Sequence, residues 1–227
     1  MNQKTVNLYH ISFEAIFEWV KNEIPRYHYD LNKHSIFLES DDHERMGYIR
    51  LPLHITIEEP LLIRNTEAII LYLTIESGNA AMSVMKGKNN LYHTTFSAYM
   101  TRKRQGFSQV KYLNKKGKSR AGSRVRLAAT MEFFENINMS CANVLEIYEV
   151  ERIALNCSST LLPYLYQSKV PCSFTKKDPR LYKIPLYLPK SNFSHLEKAI
   201  KKLMAPILIY DEKYSKGFNE LIERTKL

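Results

Sequence analysis

Gly106, Phe107, Ser108 and Gln109 stand together inside the run RKRQGFSQ, and cations crowd around them. Residues 101–126 hold ten Lys and Arg: Arg102, Lys103, Arg104, Lys111, Lys115, Lys116, Lys118, Arg120, Arg124 and Arg126. No Asp or Glu falls within them, and the acid-free stretch runs from 77 to 131. The whole chain has 33 Lys and Arg against 23 Asp and Glu, so outside this segment 23 cations face 23 anions and the net charge of +10 is concentrated here. A charge run is usually a solvated face or a disordered tail. Placed mid-chain between a strand pattern and a helix pattern, this one reads as a polyanion-binding loop. With six to ten phosphates engaged, binding weakens by roughly 0.7 to 0.9 log units per contact per decade of salt. The segment has no acid–base pair: a Gln amide donates and accepts hydrogen bonds but does not titrate usefully, and Gly106 and Ser108 taken alone are turn formers.

Other residues with chemical potential are dispersed. His93 lies on an aromatic strand pattern, where packing is the commoner role than general base. His10, His28, His34, His43, His54 and His195 are too scattered for a metal site. Cys141, Cys157 and Cys172 form no CxxC and no zinc-type spacing, so they read as reduced, mostly buried thiols. No metal and no cofactor is expected.

The elements that must hold the basic run follow from periodicity. A short helix over 12–23 has Phe13, Ile16, Phe17 and Val20 on one face and is stopped by Pro25. Strands are expected at 35–39 and 48–53, then a buried central strand at 68–75 (AIILYLTI), a hairpin return at 80–85 and a third strand at 92–100. After the basic run, 123–149 is helical, with Val125, Leu127, Ala128, Met131, Phe134, Ile137, Cys141 and Val144 recurring at three- and four-residue steps. A strand at 152–156, a helix capped by Ser158 or Ser159, a proline-interrupted strand or edge segment at 181–188, a basic helix at 194–204 and a last strand at 207–210 complete the order. This order predicts an α/β fold, a mixed β-sheet with packed helices and a basic loop between a strand and a long helix. The loop is taken over 101–122, and residues 102–118 are expected to be mobile in the free protein because like charges repel. With no repeat and no linker, 1–227 reads as one domain with an N-terminal helical segment over 1–30.

At this point the stretch HTTFSAYMTRKRQGFSQ, followed after a spacer by GKSRAGSRVRL, resembles the release-factor-like domain of ribosome quality control. Its eukaryotic members are the Vms/ANKZF peptidyl-tRNA hydrolases, with single-domain relatives in bacteria, and the fold implied is that of the catalytic middle domain of eukaryotic class-one release factor. Arg102, Lys103, Gln105, Gly106, Ser108 and Gln109 fall on the family's loop, which reads approximately R-K-Q-G-G-S-Q. Gly117, Lys118, Ser119, Ala121, Gly122, Ser123 and Arg126 fall on its second half. The match covers about 35 of the 227 residues. Phe107 departs from it, standing where the family has a second glycine. A φ above zero there would strain Phe but not Gly, whereas a Phe ring can stack on a base.

The resemblance implies cleavage that frees a nascent chain from tRNA, at the peptidyl ester or near the tRNA 3′ end. For the ester, Gln109 would place a water and stabilise the oxyanion, with Gly106 and Ser108 shaping the loop. For strand cleavage an acid/base pair is expected, and the loop offers Lys and Arg alone; the residues lean mildly to the ester. The basic residues, with Phe107, would bind RNA. The implied partners are the large ribosomal subunit, rRNA and peptidyl-tRNA, with the chain read as a monomer. The alternatives are a non-catalytic rRNA- or ribosome-binding factor with a degenerate release loop, favoured by Phe107, and a free RNase.

At 44% hydrophobic and 25% charged, the composition is that of a folded chain. No apolar run approaches the roughly 18 residues that a membrane span needs, and the N-terminus lacks a signal-peptide core. The expectation is a cytoplasmic protein without membrane contact.

Overall fold

The spacing of apolar residues, and the prolines and glycines that interrupt it, sets the order of elements along the chain. A computed structural model describes residues 2–58, 61–64, 66–100 and 121–225, with side chains from 125 onward in the last stretch. The elements begin β1 Gln3–Asn7, α1 Phe13–Glu23, β2 Arg26–Asp30, β3 Ser35–Glu39, β4 Arg45–Arg50 and the short pair β5 Ile57–Glu58 and β6 Leu62–Ile63. There follow β7 Ile69–Glu76, β8 Asn79–Lys86, β9 Asn89–Ser97, α2 Ala121–Ile147, β10 Arg152–Cys157 and α3 Leu162–Tyr166. The last are β11 Leu181–Lys183, α4 Phe193–Leu203, β12 Ile207–Asp211, a 3-10 turn Glu212–Tyr214 and α5 Ser215–Glu223. No helix among the described residues is long and apolar enough to cross a membrane.

The residues form two compact units, Met1–Ala68 with Ile200–Leu227, and Ile69–Ala199. The sequence reading draws no such boundary; it falls inside the continuous helix α4. In the first unit an antiparallel sheet is ordered β1-β12-β4-β3-β2. Helix α1 starts where Ser12 Oγ accepts the Ala15 N–H at 3.2 Å, as an N-cap should. It buries Ile16, Phe17, Trp19 and Val20, and Trp19 and Tyr210 both meet Phe218 of α5, with ring centroids 5.8 and 4.9 Å apart. The 1–30 segment, expected to be helical, thus carries one helix flanked by two strands.

The second unit holds the expected mixed sheet, ordered β11-β10-β7-β8-β9. β10 is parallel to both β7 and β11, while β7–β8 and β8–β9 are antiparallel. Strand β7 occupies the middle, which is why its apolar run continues on both faces instead of alternating. One face packs Leu71, Leu73, Met82, Val84, Ile153 and Leu155 into a core with α2 residues Phe133, Phe134, Ile137, Cys141 and Val144. Side chains of this size each contribute about 1.5 to 3 kcal/mol on full burial. The helical stripe holds from Phe134 onward but not before: Val125 and Met131 are exposed, and the buried positions there are Arg126 and Thr130. The strand expected at 181–188 stops at Lys183. Pro185 and Pro189 cannot donate to a ladder, so the chain beyond leaves the sheet.

Candidate nucleic-acid interface at one edge of the mixed sheet

Strands β7, β9, β10 and β11 all point the same way, so their C-terminal ends meet at one edge of the sheet in the unit 69–199. In open α/β sheets that edge is the usual place for ligands, because loops of several strands converge there. The basic run starts from it. After β9, Ala98 donates its N–H to the Gly78 carbonyl at 2.9 Å, on the turn joining β7 to β8. Met100, 3% exposed, then enters the core and anchors the chain just before residue 101. Gly78 has φ +83, and a Cβ there would lie 2.6 Å from the Ala98 oxygen, so this turn accepts glycine alone.

The helix that follows returns antiparallel to β9. Its C-terminal neighbour Tyr148 donates Oη to the Leu91 carbonyl at 3.3 Å, early in β9, and Glu151 donates its N–H to Ile69 at the start of β7. The N-terminus of α2 therefore faces the same edge as the end of β9, and both flanks of the basic run belong to that edge. Where the buried face of α2 comes nearest to it, apolar residues give way to Arg126 and Thr130, 8% and 4% exposed, with Thr130 Oγ1 donating to the Arg126 carbonyl at 2.7 Å. The buried stripe of α2 is therefore polar at this end and mainly apolar from Phe133 onward.

Most of the expected site lies outside the described residues: Gly106, Ser108 and Gln109, and Arg102, Lys103, Arg104, Phe107, Lys111, Lys115, Lys116, Lys118 and Arg120. Arg124 falls within α2, and Arg126 is buried on it. His93 faces out from the middle of β9, with its ring 4.4 Å from that of Phe193. That contact occupies it in packing, several residues before the strand end.

The strand-end edge also holds a cleft of about 340 Å³ that sequence reasoning missed. Its floor is the end of β7 and β10, with Ile75, Asn156 and Cys157. One wall is 158–161, where Ser158 Oγ and Thr160 Oγ1 are 2.9 Å apart. The other is 186–191, pinned by Asn156 Nδ2 donating to the Leu186 carbonyl at 3.2 Å and by the Ile184 N–H donating to Leu155 at 3.0 Å. Reading 181–188 as a strand hid this wall; the proline pair was the available signal. Burial pushes the Cys157 thiol up to about 12 and raises those of Cys141 and Cys172 as well, which disfavours the reactive thiolate at all three. Among the described residues no group of three or more His, Cys, Asp or Glu could hold a metal ion.

Residues 70–209 match the family described as Bacteroidetes VLRF1 release factor. That span contains the cleft, the whole basic run and both of its flanks. A solved structure titled "Vms1 mitochondrial localization core" aligns with 88% of this chain and 95% of its own at 12% identity, with a TM-score of 0.49. No curated protein matches the chain.

Proposed function

The chain belongs to the Bacteroidetes VLRF1 release factor family, and from that premise we propose that it frees nascent chains from peptidyl-tRNA on stalled large ribosomal subunits. The observation that supports this reading is where the described flanks of the family's loop lie. A segment with ten cations and no anion, containing QGFSQ, is preceded by the end of β9 and followed by α2, at the edge where the same-direction strands of the mixed sheet end. The cations meet rRNA and tRNA phosphates. Gln109 places the attacking water and donates to the developing oxyanion, while the tRNA and the ribosome supply the remaining groups. Ester hydrolysis suits a loop with no titrating pair better than strand cleavage does.

The test is release of labelled peptide from purified large subunits carrying peptidyl-tRNA, with the tRNA 3′ end mapped. Gln109→Ala is expected to lose about 100- to 1,000-fold in release, the usual cost of one oxyanion donor, while still binding subunits. An intact 3′ end identifies the ester as the bond cut, and a shortened one the RNA strand. Equal release by both proteins removes Gln109 from the mechanism.

Phe107 favours a second reading, a ribosome-binding factor whose loop no longer catalyses. It predicts a wild type that binds subunits without releasing peptide, and a Phe107→Gly variant that gains release.

A further inference from the structure

We propose that the cleft at the ends of β7 and β10 receives an unpaired nucleoside of an RNA 3′ end, with its base stacked on Tyr187 and its ribose among the hydroxyls of the opposite wall. This rests on the reading above and names the part of the substrate that the sheet, as distinct from the basic loop, would hold.

Four observations carry it. Tyr187 stands at the rim with 90% of its surface exposed, between Pro185 and Pro189. An aromatic ring held on a proline-stiffened segment loses little conformational freedom when a base stacks on it. The cleft's size falls at the lower end of the ligand-pocket range, about 300 to 1,000 Å³. Among the described residues its polar lining is neutral or accepting: Ser158, Thr160, Asn156, Ser191 and the Glu76 carboxylate, with no Lys or Arg. Such a lining suits base edges and ribose hydroxyls and repels phosphate. Ser77 Oγ, also in the lining, is buried without a hydrogen-bond partner among the described residues. Finally, Ser77 adjoins Gly78, the residue that anchors the exit of β9 into the basic run. A base in the cleft therefore lies beside the point where the chain leaves β9 toward the basic run. Base–aromatic stacking is tolerant of base identity, whereas the hydroxyl wall distinguishes ribose from deoxyribose.

The probe is a 5′-labelled single-stranded RNA hexamer ending in CCA, with binding read by fluorescence anisotropy at fixed salt. Wild type, Tyr187→Ala, Tyr187→Phe and Ser158→Phe are compared, and the same four proteins are assayed for peptide release. Tyr187→Ala is expected to weaken binding about 5- to 150-fold, the range for loss of one stacked base. Tyr187→Phe keeps the ring and retains affinity, and Ser158→Phe weakens binding by filling the cleft. The slope of affinity against salt stays constant across the set, since no charge changes. A DNA hexamer of the same sequence binds more weakly to wild type. Because Tyr187 is exposed, its variants keep the wild-type unfolding midpoint, so loss of fold does not explain the result. Unchanged affinity in both Tyr187→Ala and Ser158→Phe, or no binding by wild type, overturns the proposal. Unchanged affinity with intact release overturns the cleft and leaves the release reading standing. Weakened binding in the variants of a wild type that releases nothing supports the cleft and sinks the release reading.

Discussion

Ala98 and Gly78 approach more closely than any side chain at Gly78 would allow: the Ala98 N–H donates to the Gly78 carbonyl at 2.9 Å, and a Cβ on Gly78 would lie 2.6 Å from the Ala98 oxygen. The contact fixes where the chain leaves β9 for the basic run. Gly78→Ala is expected to cost about 2 kcal/mol, from the left-handed backbone and the clash together. Urea unfolding measures that loss. RNA affinity falls as well, although no contacting residue has changed, because the exit of the loop moves.

Asn138 ties three segments into one body. From a fully buried position on α2, its Nδ2 donates to the Leu165 carbonyl at 2.9 Å and to that of Val170 at 2.8 Å. Asn138→Ala leaves both carbonyls unpaired in the interior, at a cost of about 2 to 4 kcal/mol. A lowered urea midpoint with an unaltered slope is the expected result; a midpoint equal to wild type contradicts the role.

Asp178 and Arg180 make stability depend on pH just before β11. Arg180 donates Nη2 to Asp178 Oδ2 at 2.8 Å and Nε to Oδ1 at 3.0 Å, and its backbone N–H adds a third bond at 2.9 Å. The guanidinium bonds hold the Asp178 carboxyl below its usual 3.8. A depressed folded pKa contributes stability that is fully present above the unfolded value and lost as pH falls through the folded one. Asp178→Asn is therefore expected to be less stable than wild type by about 1 to 2 kcal/mol at pH 7. The gap persists down to about pH 4 and closes below it. A gap that stays constant down to pH 2 assigns the loss to packing instead.

Salt reports the basic run directly. Replacing Lys115, Lys116 and Lys118 together with Gln is expected to flatten the plot of log affinity for RNA against log salt by about 2 to 3 in slope. Sequence preference remains, since phosphate contacts position RNA without reading it. An unchanged slope places these three lysines away from the RNA.

The sequence by itself determined the central features of the mixed sheet, because each is a local pattern. An apolar run such as AIILYLTI has no polar face to expose, so it becomes the buried strand β7 wherever the chain folds. The Ser77-Gly78-Asn79 turn, the alternating β9 and the long helix after the basic run follow from residue type and spacing over a few positions. The charge of 101–126 is likewise a matter of composition, and its GFSQ and GKSRAGS spacing carries the family resemblance.

What the tertiary structure alone decided depends on residues far apart in sequence. β1 has a weak strand pattern, yet residues 3–7 pair in register with 207–211, because an edge partner supplies the hydrogen bonds that propensity does not. That pairing, with β12 on β4, closes an antiparallel sheet from both ends of the chain. The phase of α2 also changed: periodicity put Val125 and Met131 on the buried stripe, but the packing at the strand ends buries Arg126 and Thr130. The cleft is the clearest case. Ile75, Asn156 and Tyr187 carry no joint signal along the chain and converge because parallel pairing of β7, β10 and β11 aligns their C-terminal ends. Local spacing sets which segments become strands and helices; strand order and direction set which of their ends share an edge, and that sharing makes the site.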